Sequence, residues 1–238
     1  RHSFPTRRSS DLKFSSNNFV STDATKAADQ LLDECLRIRD KQRRGIFLPS
    51  TGINGVILEG GTGMGKTEMI QAVLENKEIE IIDNDQLQTT SGSGVKCYKI
   101  NVNLSLLEKQ KIITKAFEEG NIVWIDNINI CIDDGLEKII NSVLTGQHPT
   151  DKDAKVKPGF TLISSINPIS MEGRSAISPA LKHRLYMPVI KSLQEYKIED
   201  FKTIIEHWIE QDKKDPALFK IDEIAAKFVE LAASREGQ

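Results

Sequence analysis

Residues Gly60-Gly61-Thr62-Gly63-Met64-Gly65-Lys66-Thr67 place four glycines, an ammonium and a hydroxyl at the spacing GxxxxGK[ST]. That spacing suits the binding of a polyphosphate. The glycines let successive backbone N–H groups turn inward around the anion, and the N-terminus of a following helix adds partial positive charge. Lys66 is the group that would reach the β- and γ-phosphates, and the Thr67 hydroxyl the one that would ligate magnesium. Glu68 opens the helical pattern that follows and is counted with the binding segment. The competing explanation is a glycine-rich turn between a strand and a helix. The apolar run Gly55-Val56-Ile57-Leu58 before the loop and the helical pattern from Glu68 to Glu75 after it supply the context that the phosphate-binding motif needs.

Four further residues are candidates for the same chemistry. Asp126 ends an apolar run, where a carboxylate can hold magnesium beside Thr67; the alternative is a helix cap or a turn. Asn127 follows it. An amide does not accept a proton near neutral pH, so Asn127 can orient water but cannot act as a general base. Asn167 ends the run Ser164-Ser165-Ile166, where its amide can bond a γ-phosphate oxygen or an attacking water; the alternative is a turn ahead of Pro168. Arg184 follows a short helix and is placed to reach a phosphate bound by a neighbouring subunit; the alternative is a surface ion pair.

The elements that must position these residues alternate. Strands are expected over Gly55–Leu58, Val95–Val102, Ile122–Ile125, Phe160–Ile166 and Tyr186–Ile190. Helices are expected over Leu104–Glu119, ended by Gly120, then Ile132–Leu144 and Ala176–Leu185. The continuous apolar run Ile122-Val123-Trp124-Ile125 fits a strand covered on both faces. Such an order argues for an α/β fold with a mostly parallel five-stranded sheet flanked by helices. An earlier helix carries Ala24, Ala27, Ala28, Leu31, Leu32 and Cys35 on one face, with Ser21-Thr22-Asp23 as its N-cap. It closes on Lys41, Arg43 and Arg44, as a solvated end or a basic patch. Lys77 to Gly94 has no assignment beyond a polar loop from Gln88. After Ser192 the pattern is all-helical, Ile198–Gln211 and Ile221–Ala233 separated by Pro216. That tail is too small to hold a core alone and must pack on the sheet or belong to a longer lid.

Composition sets modest bounds. Lys and Arg number 32 against 34 Asp and Glu, a net charge of −2, so no basic excess points to nucleic acid. No apolar run is long enough to span a bilayer. Cys35, Cys97 and Cys131 are far apart, without a CxxC pair, and read as packing residues in a reducing compartment, hence a cytoplasmic location. His148, His183 and His207 lack zinc-ligand spacing with them. Residues 2–12 back-translate into a string resembling a common short-read sequencing adapter. Residues 1–12 are therefore expected to be an artefact, and the chain a fragment. The domain reading that follows is 13–51 as N-terminal helix and linker, 52–192 as nucleotide-binding core and 193–238 as a partial lid.

Taken together, these motifs resemble the AAA+ ATPases of the dynein-related, midasin-like branch, with the MoxR group as near kin. The matching residues are Gly60 to Thr67, Ala116 to Asn129, Leu136 to Leu144, and Ile166-Asn167-Pro168 through Gly173-Arg174 to Arg184. The resemblance implies a P-loop NTPase core with a C-terminal helical lid, ATP and Mg2+ as ligands, and neighbouring modules in a ring, either as a homo-oligomer or within one chain. It also implies remodelling of a protein partner. Asn127 stands where the family usually has Glu, which implies reduced hydrolysis. Leu185 replaces the usual Phe, and the span between the Val95–Val102 strand and Ile122 is short. The lid arginine common in such ATPases has no clear match here; Arg235 is a weak candidate for it. A nucleotide-binding scaffold or switch is the alternative function, and a nucleic-acid motor or loader a further one.

Overall fold

A computed structural model describes residues 19–46, 54–83 and 94–234. The adapter-like segment, residues 47–53, most of the polar loop from Gln88, and Arg235 lie outside the described residues.

Five parallel strands form one sheet: β1 (Gly55–Glu59), β2 (Glu80–Asp83), β3 (Lys96–Ile100), β4 (Ile122–Ile125) and β5 (Thr161–Ile166), in the order β1-β5-β4-β3-β2. Every residue of β4 and β5 is buried, as parallel strands sandwiched between helices require. Successive side chains on these strands point to opposite faces and feed two cores. On one face Val56, Leu58, Trp124 and Ile163 pack with helices α1 (Lys26–Arg43) and α2 (Lys66–Asn76). On the other, Ile57, Tyr98, Val123, Ile125 and Leu162 pack with α3 (Leu106–Glu119) and α4 (Asp134–Leu144).

The register decides what meets at the carboxyl edge. β5 lies between β1 and β4, with Glu59 opposite Ile166 and Ile125 opposite Ser164. The residues that follow, Gly60, Asp126 and Asn167, therefore leave the sheet side by side. This is the edge at which open parallel sheets bind ligands.

Local chemistry explains most element ends. The Ser105 hydroxyl caps α3 by accepting from Glu108 N, while the Glu108 carboxylate accepts from Ser105 N, so the helix starts at Leu106 rather than Leu104. Gly120 ends it in the left-handed region at φ 64°. Its carbonyl accepts from Arg39 Nη2 at 2.8 Å and Arg43 Nη1 at 3.4 Å, so the basic end of α1 caps the C-terminus of α3. The N-cap position of α1 is Thr25, not the Ser21–Asp23 stretch. Asp133 accepts from Leu136 N at 2.7 Å, so α4 begins after it rather than at Ile132.

Two expectations need correction. Tyr186–Ile190 is not a strand. It runs beside β1 through two isolated bridges, Val56 with Tyr186 and Glu59 with Val189, and Pro188 has no N–H to continue a ladder. The fifth strand is instead β2, within the stretch left unassigned. The helix expected over Ala176–Leu185 shrinks to α5 (Pro179–Lys182), because Pro179 holds Ser178 extended at ψ 154°. Among the cysteines, Cys35 and Cys97 are buried and Cys131 is half-buried; all are free.

The tail forms α6 (Ile198–Gln211) and α7 (Ile221–Ala233), at the bounds read from periodicity. Phe201, Ile205, Ile209, Ala225 and Ala232 join the core that contains α1 and α2. Asp200, buried at the start of α6, accepts from Ala24 N at 3.2 Å and Lys197 N at 2.8 Å, which ties α6 to the entry of α1. No helix among the described residues is long and apolar enough to cross a membrane.

Candidate functional site

The loop Gly60–Thr67 joins β1 to α2. Gly63 at φ 78° and Gly65 at φ 74° adopt backbone conformations that L side chains rarely take, and that is why glycine stands there. Gly60 is glycine for space as well: a Cβ there would lie 3.2 Å from Ile190 Cβ. Met64 is buried under the loop, whereas Thr62 is exposed and donates to Met171 Sδ at 3.7 Å. Glu68, in the first turn of α2, is exposed.

Lys66 is the first residue of α2, and its ammonium is enclosed. It donates to Gly60 O at 2.8 Å, Gly61 O at 2.6 Å and Asn167 Oδ1 at 2.8 Å. Burial lowers its pKa, Asp126 opposes that shift, Arg174 reinforces it and Glu68 opposes it. A cation held by three neutral oxygens in a partly desolvated place is set to exchange loop carbonyls for a phosphate.

Beside it, the Thr67 hydroxyl donates to Asp126 Oδ2 at 2.8 Å. Ser165 donates its hydroxyl to Asp126 Oδ1 and accepts from Asn127 N at 2.8 Å, so one side chain orients both residues. Asn127 sits in the left-handed region at φ 53° and ψ 50°, where Asn is tolerated better than most residues, and its Oδ1 is buried without a partner. Asn129 donates to Asn167 O at 2.8 Å, which fixes the turn after β5. Lys66, Thr67, Asp126 and Asn167 thus share one hydrogen-bonded edge, with Asn127 joined to it through Ser165. Hydroxyl and carboxylate oxygens are the donors magnesium takes. Among the described residues there is no cluster of three His, Cys, Asp or Glu, so a metal here would need phosphate oxygens or water to complete its shell.

Arg184 is elsewhere. Its Nη1 donates to Asn141 Oδ1 at 2.9 Å and to Ala180 O at 2.7 Å, and neither acceptor belongs to the Lys66 edge.

A cavity of about 660 Å³ lies beside Gly63, Met64 and Gly65 and is lined also by Tyr196, Trp208 and Phe228. Most of its wall is apolar, with Thr22, Thr25 and Glu68 as polar points. A flat heteroaromatic ring fits such a wall. Sequence reading did not single out Ser165, Asn129 or the cavity residues. For Ser165 a signal existed: the paired hydroxyls Ser164 and Ser165 stand near the end of a fully buried strand.

Parallel sheet order, phosphate loop and edge carboxylate define an ATP-binding AAA+ module of the P-loop class. The chain belongs to the AAA domain family, dynein-related subfamily, whose model matches residues 55–185. Among solved structures, a variant of Thermotoga maritima RuvB shares 17% identity at a TM-score of 0.55, covering 90% of this chain and 61% of that one. The T. maritima RuvB Holliday junction branch migration motor shares 19% identity at 0.50, covering 90% and 61%. Domain III of the T. maritima replication initiation protein DnaA shares 13% at 0.50, covering 90% and 81%. At these identities the likeness is one of fold, and this chain spans about three fifths of the RuvB chains. No curated protein matches the chain.

Proposed function

We propose that this chain is an ATPase module that hydrolyses ATP slowly, within a ring of like modules, to remodel a protein partner or assembly. The observation that carries it is the single edge on which the Lys66 ammonium, the Thr67 hydroxyl and the Asp126 carboxylate stand within hydrogen-bond reach of their neighbours. In this reading the N–H groups of Gly60–Thr67 hold the phosphates, Lys66 bridges to the terminal one, and the cavity under Tyr196 and Trp208 takes the base. Thr67 and Asp126 would hold magnesium, which supplies charge neutralisation at the phosphate oxygens when bound. Asn127 orients a water without taking its proton, and Asn167 keeps Lys66 aimed. Arg184, which bonds Asn141 and Ala180 within its own chain, serves the site of an adjoining module, and the α6–α7 lid follows the nucleotide state against the core. The functional division is a core over 52–192 and a lid from 193, and the free thiols fit a cytoplasmic location.

Asn127 favours a second reading, a nucleotide-held scaffold or switch. Its side chain offers no base, and its buried oxygen has no partner. The name of one structural relative as a branch migration motor gives no support by itself for a nucleic-acid motor here, and the charge balance of −2 does not favour one.

Calorimetric titration with ATP and ADP, each with magnesium, tests the core of the proposal. Binding is expected in the wild type and at least ~100-fold weaker in Lys66→Ala, since two or more charge-assisted hydrogen bonds are lost. No heat with either nucleotide on folded protein would overturn it.

A further inference from the structure

The segment after β5 makes a closed excursion over the phosphate loop. It leaves at Asn167, whose carbonyl is held by Asn129 Nδ2 at 2.8 Å. It passes Thr62, which donates to Met171 Sδ at 3.7 Å. It returns where Ser175 N donates to Asn129 O at 2.8 Å. Both ends are thus pinned by Asn129, and Arg174 is the last residue before the second pin.

Arg174 is half-buried, yet its Nε and Nη1 are fully buried and lack any hydrogen-bond partner. Among the described residues no carboxylate forms an ion pair with it. A guanidinium kept from water without acceptors is costly, and removing the acceptor from such a group is strongly unfavourable in proteins. Arg174 also shares its edge with another cation: Asn129 ties Ser175, next to Arg174, to Asn167, and Asn167 accepts from Lys66 Nζ. Two cations placed at one edge, one with unused donors, suit an anion of more than one charge. The loop amides surround the phosphates nearer the base. In the nucleotide-binding reading the strand-end side, where Asn167 and Asp126 stand, would face the far end of the chain of phosphates, and the segment carrying Arg174 starts there.

We propose that Arg174 is a ligand of the terminal phosphate group supplied in cis, so that each module distinguishes triphosphate from diphosphate with its own arginine, before any neighbour contributes Arg184. This rests on the nucleotide-binding reading above and adds to it a residue that sets nucleotide-state preference.

The test is calorimetry of the full chain with magnesium and either ADP or a slowly hydrolysed ATP analogue, on wild type, Arg174→Ala, Arg174→Gln and Arg174→Lys. Arg174→Ala and Arg174→Gln are expected to weaken the triphosphate about 10- to 100-fold and leave ADP within about threefold, with Arg174→Lys between them and wild type. Thermal-shift measurement should show the same split, with triphosphate-induced stabilisation lost and ADP-induced stabilisation kept. Should Arg174→Ala unfold, Arg174→Gln keeps most of the packed stem and gives the same comparison. An unchanged ratio of triphosphate to ADP affinity in both variants, or an equal loss for both nucleotides, would overturn the assignment while leaving wild-type nucleotide binding intact. Absence of binding in the wild type would instead bring down the underlying reading.

Discussion

The Lys66 ammonium donates to the side-chain oxygen of Asn167 across 2.8 Å, a hydrogen bond between residues 101 positions apart. It ties the tip of the phosphate loop to the end of β5. With it, Thr67 and Asp126 fall into contact at the same edge. The consequences can be measured one residue at a time.

Ser165 holds Asp126 through its hydroxyl and Asn127 through its oxygen. Ser165→Ala should raise the magnesium concentration needed for half-maximal ATP binding by about 10-fold or more, as losses of groups that orient metal ligands do. Binding of ADP without metal should change little. Titration of magnesium at fixed nucleotide separates the two, and an unchanged midpoint would remove Ser165 from the site.

Asn127 lacks a basic oxygen. Asn127→Glu in the assembled full-length protein is expected to raise turnover by about 10²-fold, the lower end of what a positioned base contributes. Glu is less at home at φ 53° than Asn, so the thermal midpoint should fall by a few degrees, in line with a cost of roughly 1 kcal/mol. Steady-state phosphate release reads the first effect and thermal unfolding the second. Unchanged turnover with tight ATP binding would favour the scaffold reading.

Arg184 bonds Asn141 and Ala180 O within its own chain. Arg184→Ala should leave ATP affinity of the isolated module unchanged and cost about 1 kcal/mol of stability at most. In an assembly it should reduce turnover by about 10³-fold or more. If an active assembly carrying Arg184→Ala turns over normally, the arginine has no role across the interface.

Lys66 has a folded-state pKa below its ordinary value because it is buried, with Arg174 adding to the shift and Asp126 and Glu68 opposing it. Between that lowered value and the ordinary lysine value of roughly 10.4, the unfolded chain binds more protons than the folded one. Stability of the ligand-free protein should therefore gain from this group as pH rises through that window. Phosphate favours the charged ammonium, so nucleotide binding should take up protons in the same window and weaken as pH rises. Calorimetry in buffers of different ionisation enthalpy reads the uptake. Equal proton uptake at neutral and alkaline pH would contradict the assignment of Lys66 to the phosphate.

Much of this site was legible before any coordinates. The phosphate loop, the apolar strand ending in Asp126, and α6 and α7 are local patterns, set by glycine at positive φ, by unbroken apolar runs and by helical periodicity. β2 escaped notice because it is a short edge strand with one buried residue in four, so its apolar signal is weak. Tyr186–Ile190 reads as a strand from its apolar side chains, although Pro188, visible in the sequence, removes a ladder N–H and argues against one.

Sequence by itself determined the parts: which loop can cradle phosphate, which strand ends carry a carboxylate or an amide, and that Asn127 cannot be a base. Those follow from side-chain chemistry and short-range sterics. Only the tertiary structure decided the pairings. Ser165 meets Asp126, Asn129 pins Asn167 and Ser175, Arg174 keeps two buried nitrogens unpartnered, and Arg184 bonds Asn141 of α4. The physical reason is register: β5 lies between β1 and β4, and a shift of one residue would turn Ser165 to the other face, a choice made by two packed cores together rather than by any one segment.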